Sequence, residues 1–415
     1  MKILVAHPQR QHSFQLCSAL VAAGHDVIYV TTVYDKKWSL TRIAMRFLSG
    51  DNLSRAKGRH CDVLDDSAVM QKYELLGLVS LLLGRMPKKK KMYKRLNAWI
   101  DRLFGRAVAR TAVRRNVDAI VCYDQHAEAA FSLLKIKNPN IIRILDVSTA
   151  NKQYQALLVL GDLDTKPKPR GSWRNMALEP FDLALREYAK EVYLSHFFLV
   201  PSKFAADSIR FLGVDPDRIF QCSYGAHFRL DSLEQVDSHN PMRFVYCGRM
   251  CSGKGLHRLL EAFDGIDRSR FELTLIGSYA GLEKTLEPWL DKYTFTGGVL
   301  QCRVKEIYCE SDVFVFPTLY EGMSLACLEA MSCGLPLVVS SMAGVTDLVD
   351  DYANGFILKS PSDIGYLREK IEWCIDHPAD VADMKVRALE RSRNVTWEKY
   401  GMAIAKAFRS IERNG

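Results

Sequence analysis

Short apolar runs, rich in Val and Ile and lacking polar alternation, recur along this chain between stretches of helical periodicity. "KILVAH" (2–7), "DVIYVT" (26–31), "AIVCY" (119–123), "IIRILDV" (141–147) and "FFLVP" (197–201) form one series. "RFVYCG" (243–248), "ELTLIG" (272–277), "FVFPT" (314–318) and "LPLVVS" (335–340) form a second. Strands of this composition are buried on both faces, an environment that parallel sheets covered by helices provide. A polar, aperiodic stretch at 229–242 separates the two series, as a linker would. The pattern predicts an α/β chain of two Rossmann-like doubly wound domains, residues 1–228 and 242–395, joined by a linker at 229–241. The length of 415 residues agrees, because single cores stop growing beyond roughly 250–300 residues. A last helix, 396–415, carries Trp397, Tyr400, Ile404 and Phe408 at helical spacing and could pack on either domain, the first included. Ligands of doubly wound sheets bind outside the carboxyl ends of the strands. The expected site is therefore a cleft where the two domains face each other.

Eleven cysteines are scattered singly, several inside apolar runs (Cys122, Cys247, Cys327), without zinc-ribbon spacing. They read as free thiols in a reducing compartment. The apolar run in "MKILVAHPQRQ" is too short for a signal peptide, and no segment approaches the roughly 20 apolar residues that span a bilayer. A cytoplasmic location is the expectation. The net charge of +9 is local: residues 85–115 hold twelve Lys or Arg against Asp101 alone, while the rest has 45 basic and 47 acidic side chains. A basic surface for nucleic acid is therefore not expected.

Two stretches concentrate the chemistry. In "YEGMSLACLEAMSCG" (320–334), Glu321 precedes a helix expected from about Gly322–Ser324 to Gly334, and Glu329 lies about two turns into it. The N–H groups of Met323, Ser324 and Leu325 at such a helix start form an anion site. A carboxylate inside a covered helix needs donors, which the hydroxyls of a ribose or hexose supply. Spacing alone leaves a second reading open, with Glu321 as a capping acid and Glu329 solvated. In "FVYCGRMCSGKGLHRLLEAF" (244–263), the turn after a strand holds Gly248, Gly253 and Gly255 with Arg249 and Lys254. Fixed cations at a strand's carboxyl end suit a diphosphate. The stretch lacks the Walker spacing, and the first turn, "HPQRQHSF" (7–14), lacks the dinucleotide glycine fingerprint.

Together with "FTGGV" (295–299), "SDVFVFPTLYEGMSLACLEAMSCGLPLVVSSMAGVTDLV" (311–349) and "NGF" (354–356), these stretches resemble the retaining, nucleotide-sugar-dependent glycosyltransferases of the GT-B fold, family 4. A weaker likeness covers "FFLVPSKFAADSIRFLGVDPDRIFQCSYGA" (197–226), so the resemblance is dense over about residues 190–400. It implies that Arg249 and Lys254 neutralise the donor diphosphate, that Glu329 binds the ribose hydroxyls and that Glu321 faces the donor sugar. It further implies that the backbone of Gly322, Met323, Ser324 and Leu325 contacts sugar and β-phosphate, beside Gly248. Gly298 and Val299 belong to the stretch that reads the nucleobase. No metal or other cofactor is implied, since Arg, Lys and helix dipoles stabilise the departing diphosphate.

The first domain departs from the family pattern. The family His near the donor sugar is absent from "ILDVSTAN" (144–151), leaving Asp146 and, after "AIVCYDQ", His126 as catalytic candidates. The Gly-Gly donor loop is replaced by His7, Gln9, Arg10 and His12, and the usual Gly-x-Asp reads Gly225-Ala226-His227. The function implied is sugar transfer from a UDP- or GDP-linked donor to a saccharide or lipid-linked acceptor, in bacterial surface polysaccharide or glycolipid assembly. A nucleotide-sugar 2-epimerase of the same fold and a decayed sugar-nucleotide-binding protein are the alternatives. The basic segment Arg85–Arg115 predicts contact with an anionic membrane. Its helix sets Leu96, Trp99, Ile100, Leu103, Phe104, Ala107 and Val108 on one face, just after the apolar "LLGLVSLLL" (75–83), the arrangement of an interfacial anchor.

Overall fold

The Val- and Ile-rich runs all become strands in the computed structural model, which describes residues 1–84, 86, 89–164, 182–233 and 237–414. The first sheet contains β1 (Lys2–Ala6), β2 (Asp26–Thr31), β3 (Val69–Gln71), β4 (Ala119–Tyr123), β5 (Ile142–Asp146), β6 (Phe197–Val200) and β7 (Ile219–Gln221). The second contains β8 (Met242–Cys247), β9 (Phe271–Ile276), β10 (Thr294–Gly297), β11 (Val313–Phe316), β12 (Leu337–Ser340) and β13 (Gly355–Leu358). The orders are β3-β2-β1-β4-β5-β6-β7 and β10-β9-β8-β11-β12-β13. All neighbours run parallel, with registers such as Ile3↔Ala119 and Phe244↔Val313. Both sheets are doubly wound, and together they make the GT-B architecture.

Alternate residues of each strand feed opposite faces. Ile3 and Val5 of β1 pack with Leu16 and Leu20 of the helix Ser13–Ala22. Leu4 and Ala6 join Phe104, Val108 and Phe131 on the other side. That second cluster corrects the expectation for the basic helix, Lys90–Arg115. Ile100, Phe104 and Val108 are buried in the first domain, and only Trp99 of the predicted stripe is half exposed, at 52%. The physical reason is coverage: this sheet face needs an apolar helix, and Lys90–Arg115 provides it against the helix Glu128–Lys137. Exposed apolar side chains also occur just upstream, where Leu75, Val79 and Leu82 lie on the helix Glu74–Gly84. Arg85 and Lys88 of the basic segment lie outside the described residues.

The helix Trp397–Asn414 crosses back to the first domain and packs on Ser13–Ala22. Near the linker, the N–H of Leu230 donates to the carbonyl of Ser332 at 3.0 Å. The eleven cysteines form no disulfide. Among the described residues, no helix is long and apolar enough to cross a membrane.

Candidate active site

In the second sheet β8 and β11 are neighbours whose onward connections lead to opposite edges, so their carboxyl ends open a crevice. The turn after β8 is held against the turn after β11. Gly255 adopts φ +70°, and a Cβ there would lie 1.8 Å from the carbonyl oxygen of Pro317. The Leu319 N–H donates to the Gly253 carbonyl at 3.0 Å. This approach brings Lys254 to Glu321: Nζ donates to Oε2 at 2.5 Å and to the Tyr320 carbonyl at 3.3 Å. Burial alone would lower the Lys254 pKa, but the Glu321 charge and hydrogen bond outweigh it and hold the amine above its ordinary value. Arg249 stands exposed beside this pair, with no ion-pair partner among the described residues.

The Glu321 backbone is fixed as well, its N–H donating to Met342 and its carbonyl accepting from Gly344 at 2.8 Å. The helix that follows spans Leu325–Ser332, and the Ser324 hydroxyl caps it by accepting from Cys327 N–H at 3.3 Å. Met323 is buried at 4% exposure, so what it offers a ligand is its backbone N–H. Two turns down, Glu329 is buried at 8%. Its Oε1 accepts from Gln301 Nε2 at 3.0 Å and pairs with His227 Nδ1 at 3.0 Å. His227 is the residue standing where the family pattern has Asp, so that departure lands on Glu329. Gln301 opens the helix that follows Gly298 and Val299, and a Cβ at Gly298 would meet nothing within 4 Å. Gly248, Arg249, Lys254, Glu321, Gly322 and Glu329 are thus gathered at one sheet end, with 298–301 at its flank.

The first domain treats its two candidates differently. Asp146 ends β5 but accepts from or pairs with His12 Nε2 at 3.0 Å, and both are buried, at 3% and 8%. Burial is the main cause of its raised pKa. The Tyr224 ring covers His12 at 4.4 Å, so Asp146 faces this pair rather than the cleft. His126 pairs through Nδ1 with Asp101 Oδ1 at 3.0 Å. Burial would lower its pKa, yet the hydrogen bond and charge of Asp101, helped by Glu191 and Asp124, raise it. His126 and Asp101 line a recess with Gln9, Thr32 and Arg59. The structure does not unite His126 and Asp146; each has its own partner. Asp124, after β4, accepts from the Ser148 N–H and hydroxyl at 3.2 and 2.8 Å.

The two domains meet at Gly322. Its carbonyl accepts from the Ser202 hydroxyl at 2.5 Å, and a Cβ on it would lie 2.4 Å from the Ser148 carbonyl oxygen. Asp101, Asp124, Lys152, His227 and Gln301 were not singled out by the motifs as ligands. Only His227 carried a signal, as a departure from the family pattern. Among the described residues, no three His, Cys, Asp or Glu side chains gather where they could hold a metal ion.

Residues 241–377, essentially all of this second sheet and its turns, match the family model described as "Glycosyl transferases group 1". The second domain belongs to that family. The chain is 27% identical over 180 residues to O-antigen chain mannosyltransferase B of Escherichia coli, covering 40% of this chain and 45% of that one. It is 28% identical over 233 residues to a GDP-mannose-dependent alpha-mannosyltransferase of Corynebacterium glutamicum, covering 53% and 54%. The chain thus spans about half the length of these relatives. Anabaena HepE, solved in complex with UDP-glucose, superimposes at TM-score 0.62 with 15% identity, covering 99% of this chain and 100% of that one. That likeness shows the GT-B fold beyond the group 1 domain.

Proposed function

We propose that this chain is a retaining, metal-independent glycosyltransferase that moves a hexose or related sugar from a UDP- or GDP-linked donor to a saccharide or lipid-linked acceptor. The observation that carries the reading is the ion pair of Lys254 and Glu321, with Arg249 beside it and Glu329 two helical turns below, at the carboxyl ends of β8 and β11. Cations at one level and a hydrogen-bonded carboxylate at the next fit a diphosphate and a ribose respectively. The bond from the anomeric carbon to the diphosphate oxygen breaks and its electron pair leaves on the diphosphate. The acceptor oxygen bonds to the same carbon, and its proton passes to the released diphosphate. Arg249, Lys254 and the N–H groups from Gly322 to Leu325 stabilise the leaving charge. Glu321 faces the sugar and holds Lys254 in place. Names of the relatives, an O-antigen mannosyltransferase and a GDP-mannose-dependent enzyme, support a role in bacterial surface polysaccharide or glycolipid assembly.

The test is incubation with UDP- and GDP-linked hexoses, with and without saccharide acceptors, followed by proton NMR of the product. Transfer with the donor's anomeric configuration kept supports the reading. Inversion, or an isomerised donor without acceptor, would replace it with another transferase type or with the epimerase.

The reading includes a cytoplasmic place at an anionic membrane surface. The stripe Leu75, Val79 and Leu82 together with the following lysines is the support, by complementary charge. Flotation with phosphatidylglycerol vesicles at low salt checks it. The wild type floats and a variant with Lys89 and Lys91 changed to Gln floats less; a wild type that stays in solution removes the membrane from the account.

A further inference from the structure

Lys152 begins the helix Lys152–Asp164 of the first domain, directly after the loop that meets Gly322. Its amine donates to Gln155 Oε1 at 3.1 Å, and among the described residues it has no ion-pair partner. Glu191 and Asp124 line the same small recess, and Asp124 is the acid whose charge acts on Lys152. That carboxylate is already engaged, by Ser148 and by Gln125 Nε2 at 3.1 Å. The loop itself is rigidly tied: Gln155 Nε2 donates to Thr149 Oγ1 at 3.0 Å, and the Asn151 N–H donates to Ser208 Oγ at 2.9 Å. Lys152 is therefore held by Gln155 with no ion pair among the described residues, its charge offset only in part by Asp124.

The other charges that act on Lys152 come from across the cleft. Burial lowers its pKa most; Asp124 opposes this, and Lys254 and Arg249 push it further down. Three cations thus share one electrostatic neighbourhood, and only Lys254 has a carboxylate partner, Glu321. Uncompensated cations crowd together at a cost unless an anion joins them. An anion bearing two or more charges and presented at the domain junction satisfies that arrangement.

We infer that Lys152 is a third diphosphate-binding cation, supplied by the first domain, which with Arg249 and Lys254 grips the nucleoside diphosphate when the two domains are apposed. This rests on the glycosyltransferase reading above and adds a residue that the family motifs do not contain. It also assigns the Ser148–Lys152 loop a purpose. By packing on Gly322, the loop delivers the first domain's charge to a site otherwise built by the second. Truncating Lys152 should weaken the diphosphate without touching the nucleoside.

The experiment is calorimetric titration of the full chain and of Lys152→Met and Lys152→Arg with UDP, GDP, uridine and guanosine. One charge-assisted contact corresponds to about tenfold or more in affinity. Lys152→Met is expected to lose about that factor for the preferred diphosphate while nucleoside affinity stays unchanged. Lys152→Arg should keep most of the affinity. Equal thermal midpoints of the unliganded variants show that the fold is intact. If Lys152→Met binds the diphosphate as the wild type does, or loses nucleoside and diphosphate alike, the inference is wrong. If the wild type itself prefers no diphosphate over its nucleoside, the donor-site reading fails instead.

Discussion

The carboxyl ends of the two sheets are built on opposite plans. In the second domain, the chemistry sits in two turns, and the backbone approach at Gly255 sets Lys254 against Glu321. Arg249 stays exposed there, and Glu329 is served by two flanking donors. In the first domain, polar groups from distant segments close on one another: His12 with Asp146, His126 with Asp101, Asp124 with Ser148. The second end keeps charge available for a ligand, and the first spends most of its polar groups on its own structure. On the proposed reading, the second domain's end recognises the donor and the first domain's end positions it. Lys152 is the exception that joins them.

The largest expected effect breaks the second end. Replacing Arg249 and Lys254 together by Ala should lower turnover of the sugar nucleotide by about 100-fold or more, the scale of losing transition-state charge stabilisation. Nucleoside binding should change little. Steady-state kinetics beside calorimetry separates the two, and an equal loss in both would make these cations structural. Next comes the first end. His12→Ala leaves Asp146 buried without its partner and should cost about 2 kcal/mol of stability, read as a lower thermal midpoint, with donor affinity kept. A stable variant that no longer binds donor would move the His12–Asp146 pair into the site and erase the contrast.

The smallest effect is in the pH dependence of stability. In the first domain, burial, then Arg143 and Arg218, lower the His196 pKa from 6.5 to about 4. In the second, burial and then Arg258 lower that of His257 from 6.5 to about 3. The unfolded chain takes up these protons near pH 6.5 and the folded chain only at the lower values. Stability therefore declines as pH falls below about 6.5, and more protons bound by the unfolded state give the slope its sign. His196→Gln should flatten that acid limb by less than one proton in denaturation measured from pH 7 to pH 4. An unchanged slope would show that His196 is not part of it.

The same contrast explains what could be read from residue order. Strands buried on both faces announce themselves, and β2 and β4 coincide with their apolar runs, Asp26–Thr31 and Ala119–Tyr123. Val69–Gln71 and Ile219–Gln221, three residues each at sheet edges, are too short for any periodicity. Thr294–Gly297 and Gly355–Leu358 contain glycines that disguise them. Arg249, Lys254, Glu321 and Glu329 were legible because each lies in a turn or helix directly after a strand. The His12–Asp146 pair spans 134 positions, and nothing local signals it. The apolar face of Lys90–Arg115 was misassigned to lipid because an amphipathic stripe has the same period whether it meets a bilayer or a sheet.

The central claim is that the second domain's crevice binds a nucleoside diphosphate sugar through its ribose and its diphosphate. Calorimetric titration of the wild type and Glu329→Ala with UDP, GDP and their nucleosides tests it most directly. Two charge-assisted bonds to ribose hydroxyls, worth roughly 1.5–3 kcal/mol each, predict that Glu329→Ala weakens nucleoside and nucleotide alike by about 100-fold or more. The wild type should bind one of the two diphosphates in a one-to-one ratio. A Glu329→Ala variant that binds that nucleotide with unchanged affinity would contradict the account.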